Sequence, residues 1–88
     1  MPEHAATLSF SYPSVERARS VAAAVEPEAG DIEGGRTVAR VSRSGRVVSV
    51  AVEAGDLTAL RAGTNTWNGL VGTAERVAEG TEQPPSPE

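Results

Sequence analysis

The stretch from Arg36 to Glu53, RTVARVSRSGRVVSVAVE, carries two Val-rich runs on either side of Ser44-Gly45. A Gly-containing pair between alternating apolar runs signals a hairpin, because glycine takes the positive φ of a tight turn without steric cost. Pairing Arg43 with Arg46 across that turn sets Val41 opposite Val48, Ala39 opposite Val50 and Thr37 opposite Val52. These residues gather on one apolar face. The other face takes Arg36, Val38, Arg40 and Ser42 beside Val47, Ser49 and Ala51, and is partly cationic.

Upstream, Ala6 to Tyr12 alternates, with Leu8, Phe10 and Tyr12 on one side and Thr7, Ser9 and Ser11 on the other, as a half-buried strand does. Pro13 ends it. Ser14 is placed to cap a helix over Val15–Val25, in which Val15, Ala18, Val21, Ala22 and Val25 recur at helical spacing. Pro27 closes that helix, and EPEAGDIEGG follows as an acidic loop. Downstream, Asp56 caps a last helix expected to reach about Glu79, before Gly80 and the tail TEQPPSPE. The expected fold is α+β, a two-layer domain of order β-α-β-β-α: a three-stranded antiparallel sheet with two helices on one face. Residues 1–4 are expected to form a flexible N-terminus, 5–79 the single domain and 80–88 a disordered tail.

A chain of 88 residues with one Trp, one Tyr and one Phe has a thin core built mostly from Val, Leu and Ala, so self-association or a partner is expected to support it. There is no Cys, which excludes disulfides, thiolate metal sites and a Cys nucleophile. No apolar run reaches the roughly 20 residues that span a bilayer, and a soluble cytoplasmic protein is the expectation. All eight cationic residues are Arg, while the net charge is −4. High genomic GC content accounts for the Arg bias, and a salt-rich cytoplasm for the acidity and the absence of Lys.

The last helix is the unusual element. Leu57, Leu60, Thr64, Trp67, Val71, Ala74 and Ala78 form the stripe expected to cover the sheet. A second stripe of small residues, Ala59, Gly63, Thr66, Leu70, Thr73 and Val77, is expected to meet another helix. Glycine costs roughly 0.8 to 1 kcal/mol against alanine inside a helix, so Gly63, Gly69 and Gly72 call for compensation from outside it. At Gly63 the expected compensation is close approach of another backbone, from the neighbouring helix of the same chain or from a helix elsewhere; the second reading places Ala59, Gly63, Thr66, Leu70 and Thr73 at a partner or dimer interface. Arg61, Asn65, Asn68, Glu75 and Glu79 share a further line, open to two readings: a solvated face, or recognition through the Arg and the two Asn.

No catalytic set is visible: the carboxylates are scattered and no Ser lies near the single His4. Neither a metal nor a cofactor is expected. Charge is local instead, since Arg36, Arg40, Arg43 and Arg46 fall in the hairpin and no acidic residue occurs from Gly34 to Val52. Such a cluster suits phosphate contact with RNA, and equally an edge hairpin protected by charge from aggregation.

The opening ATLSFSYPSVERARSVAAAVEPE, the Val-rich hairpin and above all EAGDLTALRAGTNTW resemble the small dimerisation subunit of the KEOPS complex over most of Ala5 to Ala78. Leu60-Arg61-Ala62 and Asn65 match that family's Leu-Arg-Ala-x-x-Asn signature. With the Lys-free acidic composition, the resemblance points to a halophilic archaeal member. It implies a three-stranded antiparallel sheet with two helices, a homodimer, and binding to the threonylcarbamoyl-transferase subunit. It also implies a non-catalytic part in forming N6-threonylcarbamoyladenosine at position 37 of ANN-decoding tRNAs, and makes Arg61, Asn65 and Asn68 recognition residues. The Gly-rich, Lys-free last helix departs from the family pattern where basic residues of relatives touch tRNA. Two other readings remain: a standalone nucleic-acid-binding module working through the hairpin Arg residues, and a generic homodimerisation domain.

Overall fold

A computed structural model describes residues 4–32 and 37–82. Strand β1 (His4–Ser11) leads into helix α1 (Val15–Val25) and a short 3-10 turn (Glu26–Glu28). Strands β2 (Gly30–Ile32), β3 (Thr37–Ser44) and β4 (Val47–Ala54) follow, and helix α2 (Leu57–Glu82) completes the described part. The sheet order is β1-β4-β3-β2, antiparallel throughout. The three long strands and two helices are those read from the sequence. β2 is an addition: three residues of the acidic segment pair with Thr37–Ala39.

The caps form as their side chains dictate. Ser14 Oγ accepts from the Arg17 amide at 3.0 Å, and Asp56 Oδ1 accepts from the Ala59 amide at 2.7 Å. Two boundaries move outward: β1 begins at His4, and α2 continues through Gly80 to Glu82. Gly80 does not take the positive φ of a helix-ending glycine, which occurs only at Gly30 (119°) and Gly45 (61°) among the described residues.

The hairpin register differs from the expected one by a single step of the turn. Ser44 pairs with Val47, so Gly45 and Arg46 are the turn residues, and Val41, Ala39 and Thr37 oppose Val50, Val52 and Ala54. The reason is the turn itself, since Gly45 at φ 61° occupies the first turn position, where a two-residue hairpin loop needs positive φ. Each partner moves by two residues, so no side chain changes face. Ala39, Val48, Val50, Val52 and Ala54 are buried under the helices, with Leu8, Phe10 and Val41 packed at the margin.

α1 lies over β3 and β4, and α2 over β4 and β1. The helices run antiparallel, with Arg17 near the start of α1 facing Glu79 near the end of α2 at 3.9 Å. Trp67 is the largest fully buried side chain and sits with Val21, Val48, Val50, Val52 and Val71. At about 1.5 Å per helical residue and 3.3 Å per strand residue, α2 is roughly 39 Å long against 26 Å for the strands, so its last turns outrun the sheet.

Candidate functional site

α2 presents different chemistry on each side, and the packing decides which side is which. Gly63, Trp67, Val71, Ala74 and Ala78 are the buried line. Leu57, expected on the sheet-facing stripe, is 48 % exposed, and Thr64 is half-buried with its hydroxyl donating to the Arg61 carbonyl at 3.0 Å. Gly63 takes their place. A Cβ there would lie 2.8 Å from Thr37 Cγ2 and 3.1 Å from Val52 Cγ1, so the close approach bought by this glycine is to the chain's own sheet and not to a partner helix. The first turns of α2 are thereby rolled so that a missing side chain, which hydrophobic periodicity does not register, faces inward. Gly69 meets open space and Gly72 only the end of Arg76, and nothing in the structure explains either. Gly69→Ala and Gly72→Ala are each expected to stabilise by about 0.5 to 1 kcal/mol, measured as a higher urea midpoint at unchanged slope.

The side towards α1 holds Glu75 and Glu79, which the sequence placed on one line with Arg61, Asn65 and Asn68. Tyr12 donates its phenol hydrogen to Glu75 Oε2 at 2.7 Å, and Tyr12 itself is buried. Together with the Arg17–Glu79 pair, this bond ties the overhanging end of α2 to the start of α1. Burial first, then the hydrogen bond to Glu75 and its negative charge, hold the Tyr12 hydroxyl well above the usual tyrosine range. A pKa raised on folding means that the folded chain keeps a proton the unfolded chain releases. Stability from this group is therefore complete below the ordinary tyrosine pKa and falls as pH rises above it. Tyr12→Phe is expected to cost about 1 kcal/mol at neutral pH and to flatten the alkaline loss of stability, read from urea melts across that range. Equal alkaline slopes for both proteins would contradict it.

Arg61, Asn65 and Asn68 are exposed, beyond the stretch of α2 that the shorter α1 can cover. The remaining flank faces away from α1. At about 100° per residue, Ala59, Thr66, Leu70, Thr73 and Val77 fall within roughly 60° of one another and about 90° from the buried line. Thr66 and Thr73 are exposed, Val77 is 62 % exposed, and Ala59 and Leu70 are half-buried. Because α2 covers β4 and β1 while α1 covers β3 and β4, this flank runs above β1. Among the described residues β1 is an edge strand, paired over its whole length to β4 and open on its other side. The small-residue flank and an open strand edge thus share one side of the domain.

The hairpin of β3 and β4 adjoins β1, and its Arg46 carbonyl accepts from the Tyr12 amide at 2.9 Å. Arg40, Arg43 and Arg46 are exposed, and Arg43 donates to the Gly45 carbonyl at 2.9 Å. The register places Arg40 on the uncovered sheet face beside Ala51 and Thr7, with Arg43 on the other face and Arg46 in the turn, so the cations do not share one surface. Arg36 lies outside the described residues.

The family model described as transcription factor Pcc1 matches residues 5–79. The chain belongs to the Pcc1 family. This is the family of the KEOPS small subunit, and the match covers the whole range, Ala5 to Ala78, within which the resemblance was drawn. A search of curated proteins finds no match. Pcc1 membership brings the chain into tRNA processing as a KEOPS-related small subunit. In the stretch Leu60 to Asn65, Leu60 packs at the margin of the core while Arg61 and Asn65 are exposed. Among the described residues, no three His, Asp or Glu side chains group as metal ligands, and no helix is long and apolar enough to cross a membrane.

Sequence reasoning missed the inward role of Gly63, the tie between Tyr12 and Glu75, and the open edge of β1. The first had a signal: a single-residue offset between two stripes, with the smallest residue where they approach. The other two depend on which strands and helices become neighbours, which no local pattern records.

Proposed function

We propose that this Pcc1-family chain is the non-catalytic dimerisation subunit of a KEOPS complex, bridging two copies of the threonylcarbamoyl-transferase subunit. The observation that supports it is the coincidence of β1's open edge with the small, partly apolar flank of α2 above it. β1 is regular, and from Ala5 to Ser11 it carries no charge, proline or bulge, the devices that normally protect an edge. Two copies pairing antiparallel through β1 extend one sheet across both domains and bring their α2 flanks together, with Thr66, Leu70 and Thr73 small enough for helix approach. The uncovered sheet face is a weaker dimer surface, because it offers Ser and Thr hydroxyls and Arg40 rather than an apolar centre.

In this arrangement the subunit contributes geometry. It holds two transferase copies at a fixed separation, and Arg61, Asn65 and Asn68 stay exposed to meet them. The transferase carries the chemistry that makes N6-threonylcarbamoyladenosine at position 37 of ANN-decoding tRNAs. The wild-type chain is expected to be dimeric by light scattering at micromolar concentration in cytoplasm-matched salt. Thr66→Arg with Thr73→Arg is expected to give monomers of unchanged circular dichroism, since both residues are exposed and neither holds the core together. A wild-type monomer at every concentration, or a variant that stays dimeric, would count against the proposal.

A second reading has the hairpin touching tRNA phosphates. Its support is three exposed cations, Arg40, Arg43 and Arg46, with no ion pair among the described residues. Their split between two faces and a turn weighs against a single RNA strand reaching all of them.

A further inference from the structure

β3 is eight residues long, but β2 pairs with only Thr37–Ala39. From Arg40 to Ser44 the strand is bonded to β4 on one side and, among the described residues, has no strand on the other. Arg40, Ser42, Arg43 and Ser44 are all exposed there. A strand edge of this kind can take one more strand through its main-chain groups, with side chains setting the preference.

We infer that the open edge of β3 from Arg40 to Ser44 accepts an extended acidic segment of a partner protein as an added strand. Charge selects the occupant. A second copy offering the same edge would bring its own Arg40 and Arg43 against these cations, and cross-strand like charges oppose pairing. Thr37 to Val52 holds no acidic residue; the register sets Ala51 opposite Arg40 and Val48 opposite Arg43, with Glu53 of β4 the diagonal neighbour of Arg40, opposite Val38. Spacing selects an extended chain over RNA. Arg40 and Arg43 are three residues apart, so they flank the edge on opposite faces of the sheet. A strand laid alongside alternates faces in the same way, and two carboxylates three residues apart meet both guanidinium groups. A phosphodiester backbone lying on one face meets one of them, and no aromatic residue of the hairpin is there to stack a base. The edge is distinct from that of β1, so this inference stands or falls independently of the dimer.

The probe is a capped, fluorescently labelled peptide, Thr-Val-Glu-Val-Thr-Glu-Val, added to the full chain at low salt. One control peptide carries Lys for both Glu, and another carries Pro for the central Val. Binding is read by anisotropy, and its position by amide hydrogen exchange. The acidic peptide is expected to bind about tenfold tighter than the Lys peptide, the size two exposed ion pairs support. New amide protection should be confined to Arg40–Ser44, and Arg40→Glu with Arg43→Glu should reverse the preference. Equal affinity for the acidic and Lys peptides overturns the inference, as does equal binding of the Pro peptide, which cannot complete a ladder. Protection appearing on β1 instead overturns it too. So does single-stranded oligouridine protecting Arg40–Ser44 where the acidic peptide does not, which would make the edge a phosphate site.

Discussion

Trp67→Ala is expected to remove most of the stability of the domain. The indole is fully buried and is the largest such side chain, in a core whose other members are chiefly Val and Ala. Truncating a buried Trp costs about 3 to 5 kcal/mol, because neighbours relax only partly into the space left. A domain of this size holds roughly 4 to 13 kcal/mol in total, at about 0.05 to 0.15 per residue. One feature moderates the loss: Trp67 Nε1 is buried without a hydrogen-bond acceptor among the described residues. An orphaned buried donor costs about 1 to 3 kcal/mol, which the alanine variant no longer carries. Trp67→Phe separates the two effects, removing the orphan while keeping a ring in place. It is expected to lose less than about 2 kcal/mol by urea melt, well short of the alanine variant. Equal losses for Phe and Ala would show that the full indole volume, and not the fate of its N–H, governs the site.

Gly63→Leu is expected to be nearly as damaging, and through folding before any effect on assembly. Even the first added carbon meets Thr37 Cγ2 at 2.8 Å and Val52 Cγ1 at 3.1 Å. Both are methyls of buried residues on paired strands, so neither can swing away as the end of a long side chain would. Overpacking of this kind costs about 1 to 3 kcal/mol per small insertion, and a full Leu exceeds that range. Gly63→Ala is the informative variant, because the helix gains about 1 kcal/mol from alanine while the clash subtracts more. Thr37→Ser removes Cγ2 and is expected to rescue Gly63→Ala, giving a coupling of about 1 kcal/mol in a double-mutant cycle. No coupling would mean that the glycine does not meet the sheet at Thr37. A Gly63→Leu protein that is fully folded yet monomeric would return this residue to the dimer interface.

The two variants mark where the sequence was readable. Trp67, Val71, Ala74 and Ala78 were placed on the sheet from spacing alone, since large and medium apolar residues at helical intervals leave few other arrangements. Gly63 was set on an outward stripe because a residue with no side chain has no hydrophobic signal, and its meaning lies in what stands opposite. The hairpin shows the same division: alternation fixed which residues share a face, but a two-residue slip preserves that alternation, so the register waited on the φ of Gly45. The acidic segment read as loop, because three residues are too few to show a period, and β2 exists only because β3 offers it an edge. For the candidate site, helical spacing puts Ala59, Thr66, Leu70 and Thr73 on one flank and Arg61, Asn65 and Asn68 on another line, and the hairpin cations stand together in a run without acidic residues.

Local chemistry therefore determined the element order, both helix caps, the buried faces of the strands and the family signature, all of which depend on neighbours within a few residues along the chain. Tertiary structure alone decided that Gly63 turns inward, that Tyr12 reaches Glu75 across the domain, and that the flank of α2 overlies the edge strand β1. Each of those pairs residues far apart in sequence, and their meeting is set by how two helices of unequal length settle on one twisted sheet.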